Sequence, residues 1–134
     1  MRLSLCVTSA LMLFCAIGCQ PEDRLGPSGL PKGTVTHVVF IWLYDRADHT
    51  AQNEVVMAGR KLEKISGVQK VIGGVVLPTN KPSVDNSFDV ALVMTFRNES
   101  DLNRYLQDPG YLAIKKNILD RYARKFLVYD FIAQ

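Results

Sequence analysis

Val35-Thr36-His37-Val38-Val39-Phe40-Ile41-Trp42-Leu43-Tyr44 reads as a β-strand, because β-branched and aromatic side chains fill it. Val35, His37, Val39, Ile41 and Leu43 fall on one side, and Val38, Phe40, Trp42 and Tyr44 on the other. Both sides are apolar. A strand of this kind has no face to give to water, so it predicts a sheet covered on both faces.

Downstream of it the period changes. Ala51, Val55, Ala58, Leu62 and Ile65 recur at helical spacing from about Thr50, opposite Gln52, Glu54, Lys61, Glu63 and Lys64, and Ser66-Gly67 supplies a C-terminal stop. Val68 to Leu77 is a second strand whose Gly73-Gly74 pair predicts a bulge or the close approach of another backbone. A polar loop follows from Pro78 to Asn86. Phe88, Val90, Leu92, Met94 and Phe96 then alternate with Asp89, Ala91, Val93 and Thr95 as a third strand. Asn98 caps a short helix that turns Leu102, Tyr105 and Leu106 inward. Asp108-Pro109 opens another helix, with a capping carboxylate and proline at the first helical position, and this one buries Tyr111, Ile114 and Ile118. Phe126 to Ile132 is a last strand, apolar on both sides.

The order β-α-β-β-α-α-β makes an α+β domain of ferredoxin-like type, with helices on one face of a four-stranded antiparallel sheet. The other face would then expose more apolar surface than soluble monomers tolerate, and a face-to-face homodimer would bury it. A dimer through the open sheet face is therefore expected.

Upstream of Val35, the segment from Gln20 to Thr34 carries Pro21, Gly26, Pro27, Gly29, Pro31 and Gly33 without apolar periodicity, so it reads as a flexible tether. Before it stand a charged start, Met1-Arg2, an apolar stretch from Leu3 to Ile17, and the small residue Gly18. These are the three parts of a secretory signal, and the apolar stretch is shorter than the roughly 20 residues that a spanning helix needs. Ala16-Ile17-Gly18-Cys19 resembles the bacterial lipobox, with Ala where Leu is usual. Residues 1–18 are thus expected to be a lipoprotein signal peptide, and residues 19–34 a lipidated cysteine with its tether. Cys6 and Cys15 leave with the signal, so Cys19 is the one cysteine kept, and lipidation accounts for a lone thiol in an exported protein. The alternative is plain secretion with Cys19 free or paired between chains. By resemblance to sorted lipoproteins, Gln20 favours the outer membrane, facing the periplasm, where the cell has one.

The remaining length suits one domain, and 48% apolar against 22% charged residues is a globular composition and not a disordered one. The formal charge of +3, one less after Arg2 is removed, argues for no nucleic-acid partner.

Four segments, taken together, resemble one family. They are Val35-Thr36-His37-Val38-Val39-Phe40, Ile65-Ser66-Gly67-Val68, Tyr105-Leu106-Gln107-Asp108-Pro109-Gly110-Tyr111-Leu112-Ala113 and Leu127-Val128-Tyr129-Asp130-Phe131. In this order they resemble the stress-responsive dimeric α/β-barrel domain (Dabb) over about residues 35–132. The resemblance implies a dimer whose two sheets form a barrel. Some members are plant polyketide cyclases that promote an intramolecular aldol condensation. In them a helical tyrosine is followed after two residues by His-Pro-x-His, and the tyrosine and second histidine form an acid/base pair. Tyr105 stands at the tyrosine position here, while Asp108 and Tyr111 replace the two histidines. A phenol with a pKa near ~10 is a poor substitute for an imidazole near ~6.5 as a neutral-pH base, so the pattern leans away from cyclase catalysis.

His37 resembles a strand histidine that lines the cyclase pocket, and Val39 and Ile41 beside it make a pocket position reasonable, against the default of a satisfied structural histidine. Tyr105 is the other candidate, as an acid or an orienting donor, against the default of a core tyrosine. His49, in a loop with Asp45, Arg46 and Asp48, reads as solvated. Lys115, Lys116, Arg121, Arg124 and Lys125 could lean toward anionic headgroups or form a solvated face. Asp130, in an apolar strand, is expected to accept hydrogen bonds. With only His37 and His49 as imidazoles and no free thiol, neither a metal nor a cofactor is expected, and no phosphate loop or acidic pair occurs. The expected function is a membrane-anchored, dimeric binding or stress-associated module holding a small apolar ligand. The alternative is a cofactor-independent cyclase, isomerase or monooxygenase using Tyr105 and His37.

Overall fold

A computed structural model describes residues 29–134. The expected signal peptide, Cys19 and the expected tether as far as residue 28 lie outside the described residues. The elements are β1 (Val35–Leu43), α1 (His49–Lys61), β2 (Val68–Val75), β3 (Val90–Phe96), α2 (Glu99–Tyr105), α3 (Pro109–Ile114) and β4 (Ala123–Ile132). A 3-10 turn, Leu62–Lys64, prolongs α1, while α3 runs on through a π-helical turn, Lys115–Leu119, and a final α turn, Asp120–Tyr122.

The sheet is four-stranded and antiparallel throughout, in the order β2-β3-β1-β4, which is the ferredoxin-like arrangement read from the sequence. β1 lies at its centre, with Val39 opposite Leu92 of β3 and Val128 of β4. Its inward residues Val35, Val39, Ile41 and Leu43 are buried with Val90, Leu92, Met94 and Phe96 of β3 against Val55 and Leu62 beneath α1. Each such side chain contributes about 1.5–3 kcal/mol on burial, which makes this side the core. The opposite face carries Phe40, Trp42, Val93, Leu127, Tyr129 and Phe131, and among the described residues no helix or strand lies over it, with Phe88 of the loop before β3 packing on Phe40. Phe131 and Tyr129 there are 53% and 55% exposed.

The caps follow the sequence with one shift. Asn98 Oδ1 accepts from Asp101 N at 2.9 Å, and Asp108 Oδ1 from Gly110 N at 2.7 Å with Pro109 at the first helical position. The first helix, however, starts at His49, because Asp48 Oδ1 takes Ala51 N and serves as its cap. Gly67 adopts φ +95°, the left-handed turn that the glycine stop predicts.

Four further expectations are corrected. β4 begins at Ala123, three residues before Phe126, because the ladder reaches Leu43 across a register shift between Trp42 and Leu43. Gly73-Gly74 forms no bulge; the β2–β3 irregularity falls between Val68 and Lys70. Gly73 instead permits close approach, since a Cβ there would lie 2.8 Å from Leu92 Cδ2. Leu106 is exposed, because α2 ends at Tyr105 and leaves it in the following turn. The tether ends earlier than Thr34: Gly33 N donates to Ala133 O, Ala133 N donates to Thr34 O, and Thr34 and Ala133 are both buried. The packed unit thus includes Gly33, Thr34 and Ala133 besides 35–132.

Candidate functional site

The β1–β4 register sets His37 and Asp130 directly opposite each other. Both side chains point to the helix-covered side, and His37 Nδ1 lies 2.6 Å from Asp130 Oδ1. A carboxylate only accepts, so Nδ1 carries the shared proton and Nε2 is left for another partner. His37 is 4% exposed, whereas Asp130 sits at the sheet edge with its side chain 47% exposed.

Tyr105, the last residue of α2, packs on His37. Its ring centroid is 6.2 Å from that of His37 and 5.1 Å from that of Phe96, and Tyr111 of α3 covers it at 4.6 Å. Such aromatic pairs add about 0.5–1.5 kcal/mol each to the area they bury. Among the described residues the Tyr105 hydroxyl donates only to Met94 Sδ, at 3.4 Å, a weak acceptor. Burial, and secondarily the neighbouring Tyr111, pushes the Tyr105 phenol well above the ordinary tyrosine range, and burial raises Tyr111 in the same direction. Tyr105 is therefore a proton donor that stays protonated, not a base.

Between the sheet, α1, α3 and the π-helical turn lies a cavity of about 30 Å³. Its walls are apolar except for His37, Tyr105, Tyr111 and Lys115. That volume holds about two waters, so a larger guest requires one wall to move. The π-helical turn supplies three lining residues, Lys115, Ile118 and Leu119, and turns of this type recur at functional sites.

The two sequence candidates thus share one cavity. Asp130 accepts a hydrogen bond, as expected. Its pairing with His37 went unread, because the two are 93 residues apart and only the strand register joins them. The available signal was that each is the polar residue among inward-facing apolar ones on its strand. Tyr111 and Lys115 were read as core and as surface, yet both line the cavity. The basic residues do not act as one group: Lys115 lies over Phe126, Arg121 over Tyr122, and Lys125 over Trp42 on the opposite sheet face. His49 is exposed and its ring bonds to Gln52. Among the described residues, no three His, Cys, Asp or Glu side chains gather to hold a metal, and no helix is long and apolar enough to cross a membrane.

Residues 35–133 match the family model of the Stress responsive A/B Barrel Domain, Dabb. The chain belongs to the Dabb family. Among solved structures, a Dabb protein with a ferredoxin-like fold from Mesorhizobium loti is 21% identical, with a TM-score of 0.63 over 77% of this chain and 99% of that one. A dimeric protein of unknown function from Bacteroides fragilis is 23% identical, at TM-score 0.59 over 75% and 97%. The hydroxynitrile lyase of Passiflora edulis is 18% identical, at TM-score 0.66 over 78% and 96%. At these identities the likeness is one of fold. No curated protein sequence matches the chain. The one imidazole at the cavity is that of His37, from β1.

Proposed function

We propose that this Dabb protein is an exported, lipid-anchored homodimer that holds a small, mostly apolar ligand in the cavity beside His37 and Tyr105. The observation that carries the ligand-binding reading is the cavity itself: an apolar space onto which His37, through Nε2, and Tyr105 bring hydrogen-bonding capacity left unused or weakly used within the fold. The dimer is supported by the uncovered aromatic face and by the dimeric relative from Bacteroides fragilis. The anchor is supported by the signal-like N-terminus and by Cys19 as the lone cysteine after it. Each part has its own test. A panel of small apolar compounds screened by thermal shift should include ligands that raise the melting temperature of the native chain but not of a His37→Ala, Tyr105→Phe variant; no such compound would overturn the binding reading. Sedimentation should give a dimer, and a stable monomer at micromolar concentration would overturn that. Metabolic labelling with a fatty acid should tag the chain through Cys19, and a label surviving Cys19→Ser would overturn the anchor.

The His37–Asp130 contact favours a second reading, cofactor-independent catalysis. In it Asp130 orients the ring, Nε2 removes a proton from the bound molecule and the Tyr105 hydroxyl supports the developing oxyanion. The fold shared with the hydroxynitrile lyase lends it support. Turnover of a screened ligand, lost in both His37→Ala and Asp130→Asn, would establish this reading; binding without turnover would leave the module as a carrier.

A further inference from the structure

The cavity has two polar ends, and a single lysine marks one of them. Phe126 and Asp130 stand four residues apart on β4, about 13 Å along an extended strand. At the Asp130 end, His37, Tyr105 and Tyr111 come together. At the Phe126 end, Lys115 Nζ lies 5.9 Å from the Phe126 ring centroid, and both residues line the cavity. Between the ends Val39, Leu92, Ile118 and Val128 present only hydrocarbon.

Lys115 is half-buried and forms no ion pair with any described carboxylate, while Lys116 beside it is exposed. A cation over an aromatic ring gains about 0.5–1 kcal/mol at such a site, less than a direct pairing with an anion offers. The side chain thus lines the rim of an apolar space while its ammonium is joined to no carboxylate among the described residues. That arrangement suits an anion carried on a hydrocarbon body.

We propose that the ligand is an amphipathic carboxylate. Its carboxylate pairs with Lys115 Nζ, its hydrocarbon body lies along Val39 and Val128, and an oxygen at its far end, where it has one, meets His37 Nε2 or the Tyr105 hydroxyl. This rests on the ligand-binding reading above and names the chemical class the site selects. Entry requires the segment from α3 through the π-helical turn to lift, and none of its residues is fully buried.

Octanoate and octanol test the head group at equal chain length. Titration calorimetry on the full chain, kept soluble by Cys19→Ser, should show octanoate binding about tenfold tighter than octanol at neutral pH, the order expected of a charged hydrogen bond. Lys115→Met should abolish that preference while leaving octanol affinity in place, and Lys116→Met should preserve it. Equal binding of the two probes would overturn the carboxylate assignment while sparing the cavity. A preference that persists in Lys115→Met would overturn the role of Lys115. Failure of both probes to bind would overturn the carboxylate assignment, and with it the cavity as a site for aliphatic ligands.

Discussion

Two helical walls enclose the cavity, and they are built differently. α1 and its 3-10 extension set Val55, Ala58, Gly59 and Leu62 into the core, all buried. The opposite wall, Pro109 to Tyr122, has no fully buried residue; Tyr111, Ile114, Ile118 and Leu119 are only half-covered as they pack on the core. Beneath that wall, Phe126 remains 41% exposed although it faces the helices. Local opening costs what burial has to be undone, so α1 is part of the structure that unfolds globally, whereas the α3 wall can open by itself. A cavity too small for most ligands can still admit one if a single wall yields, and only one of these is built to yield.

Deleting side chains is the strongest way to break this contrast. Leu62→Ala should lower stability by about 2–5 kcal/mol, while Ile118→Ala should cost about 1 kcal/mol. Both are read as denaturant midpoints at one protein concentration; equal losses would mean that the second wall belongs to the core after all. Gly59→Ala sharpens the description of the first wall. A Cβ there would fall 2.5 Å from Leu92 Cδ2, and Leu92 is itself buried. Overpacking of about 1–3 kcal/mol is set against about 1 kcal/mol of improved helix propensity, so the same measurement should show a net loss near 1 kcal/mol. A gain in stability would show that α1 stands off the sheet farther than the contact implies. Amide exchange gives the contrast residue by residue: α1 amides should exchange only through global unfolding, and those of 109–122 through cheaper openings.

The sequence carried the fold further than the site, and the reason lies in range. Alternation in Val35–Leu43 and Val90–Phe96 is a local property, and so are the caps at Asn98 and Asp108, so strands and helix starts were legible from neighbours alone. The family match over 35–133 agrees with the span reached from four short segments. His37 and Tyr105 could be singled out by residue type, but Asp130 as the partner of His37 depends on register across the chain. Lys115 illustrates another limit. Its charge grouped it with the basic residues of a solvated face, although it stands four residues after Tyr111 and three before Ile118 and so shares their inner side at the cavity wall. Leu106 failed for a local reason, since the helix ended one residue before it.

Tyr105 packs between Phe96 of the sheet and Tyr111 of the α3 wall, and its hydroxyl yields the smallest effect. Among the described residues Met94 Sδ is its one acceptor, so Tyr105→Phe should change stability at neutral pH by less than about 1 kcal/mol. The consequence appears in alkali. The folded phenol is held above the ordinary tyrosine value mainly by burial, whereas the unfolded phenol ionises near ~10. Below that pH both states keep the proton and the stability is fully present. Above it the unfolded chain loses the proton first, so stability falls as pH rises toward the folded value. Melting temperatures taken across this range should decline less steeply for Tyr105→Phe than for the native chain, with Tyr111 supplying a residual slope of the same sign. Equal slopes would mean that water already reaches the Tyr105 hydroxyl through the α3 wall, and the weaker wall would then be open in the resting protein.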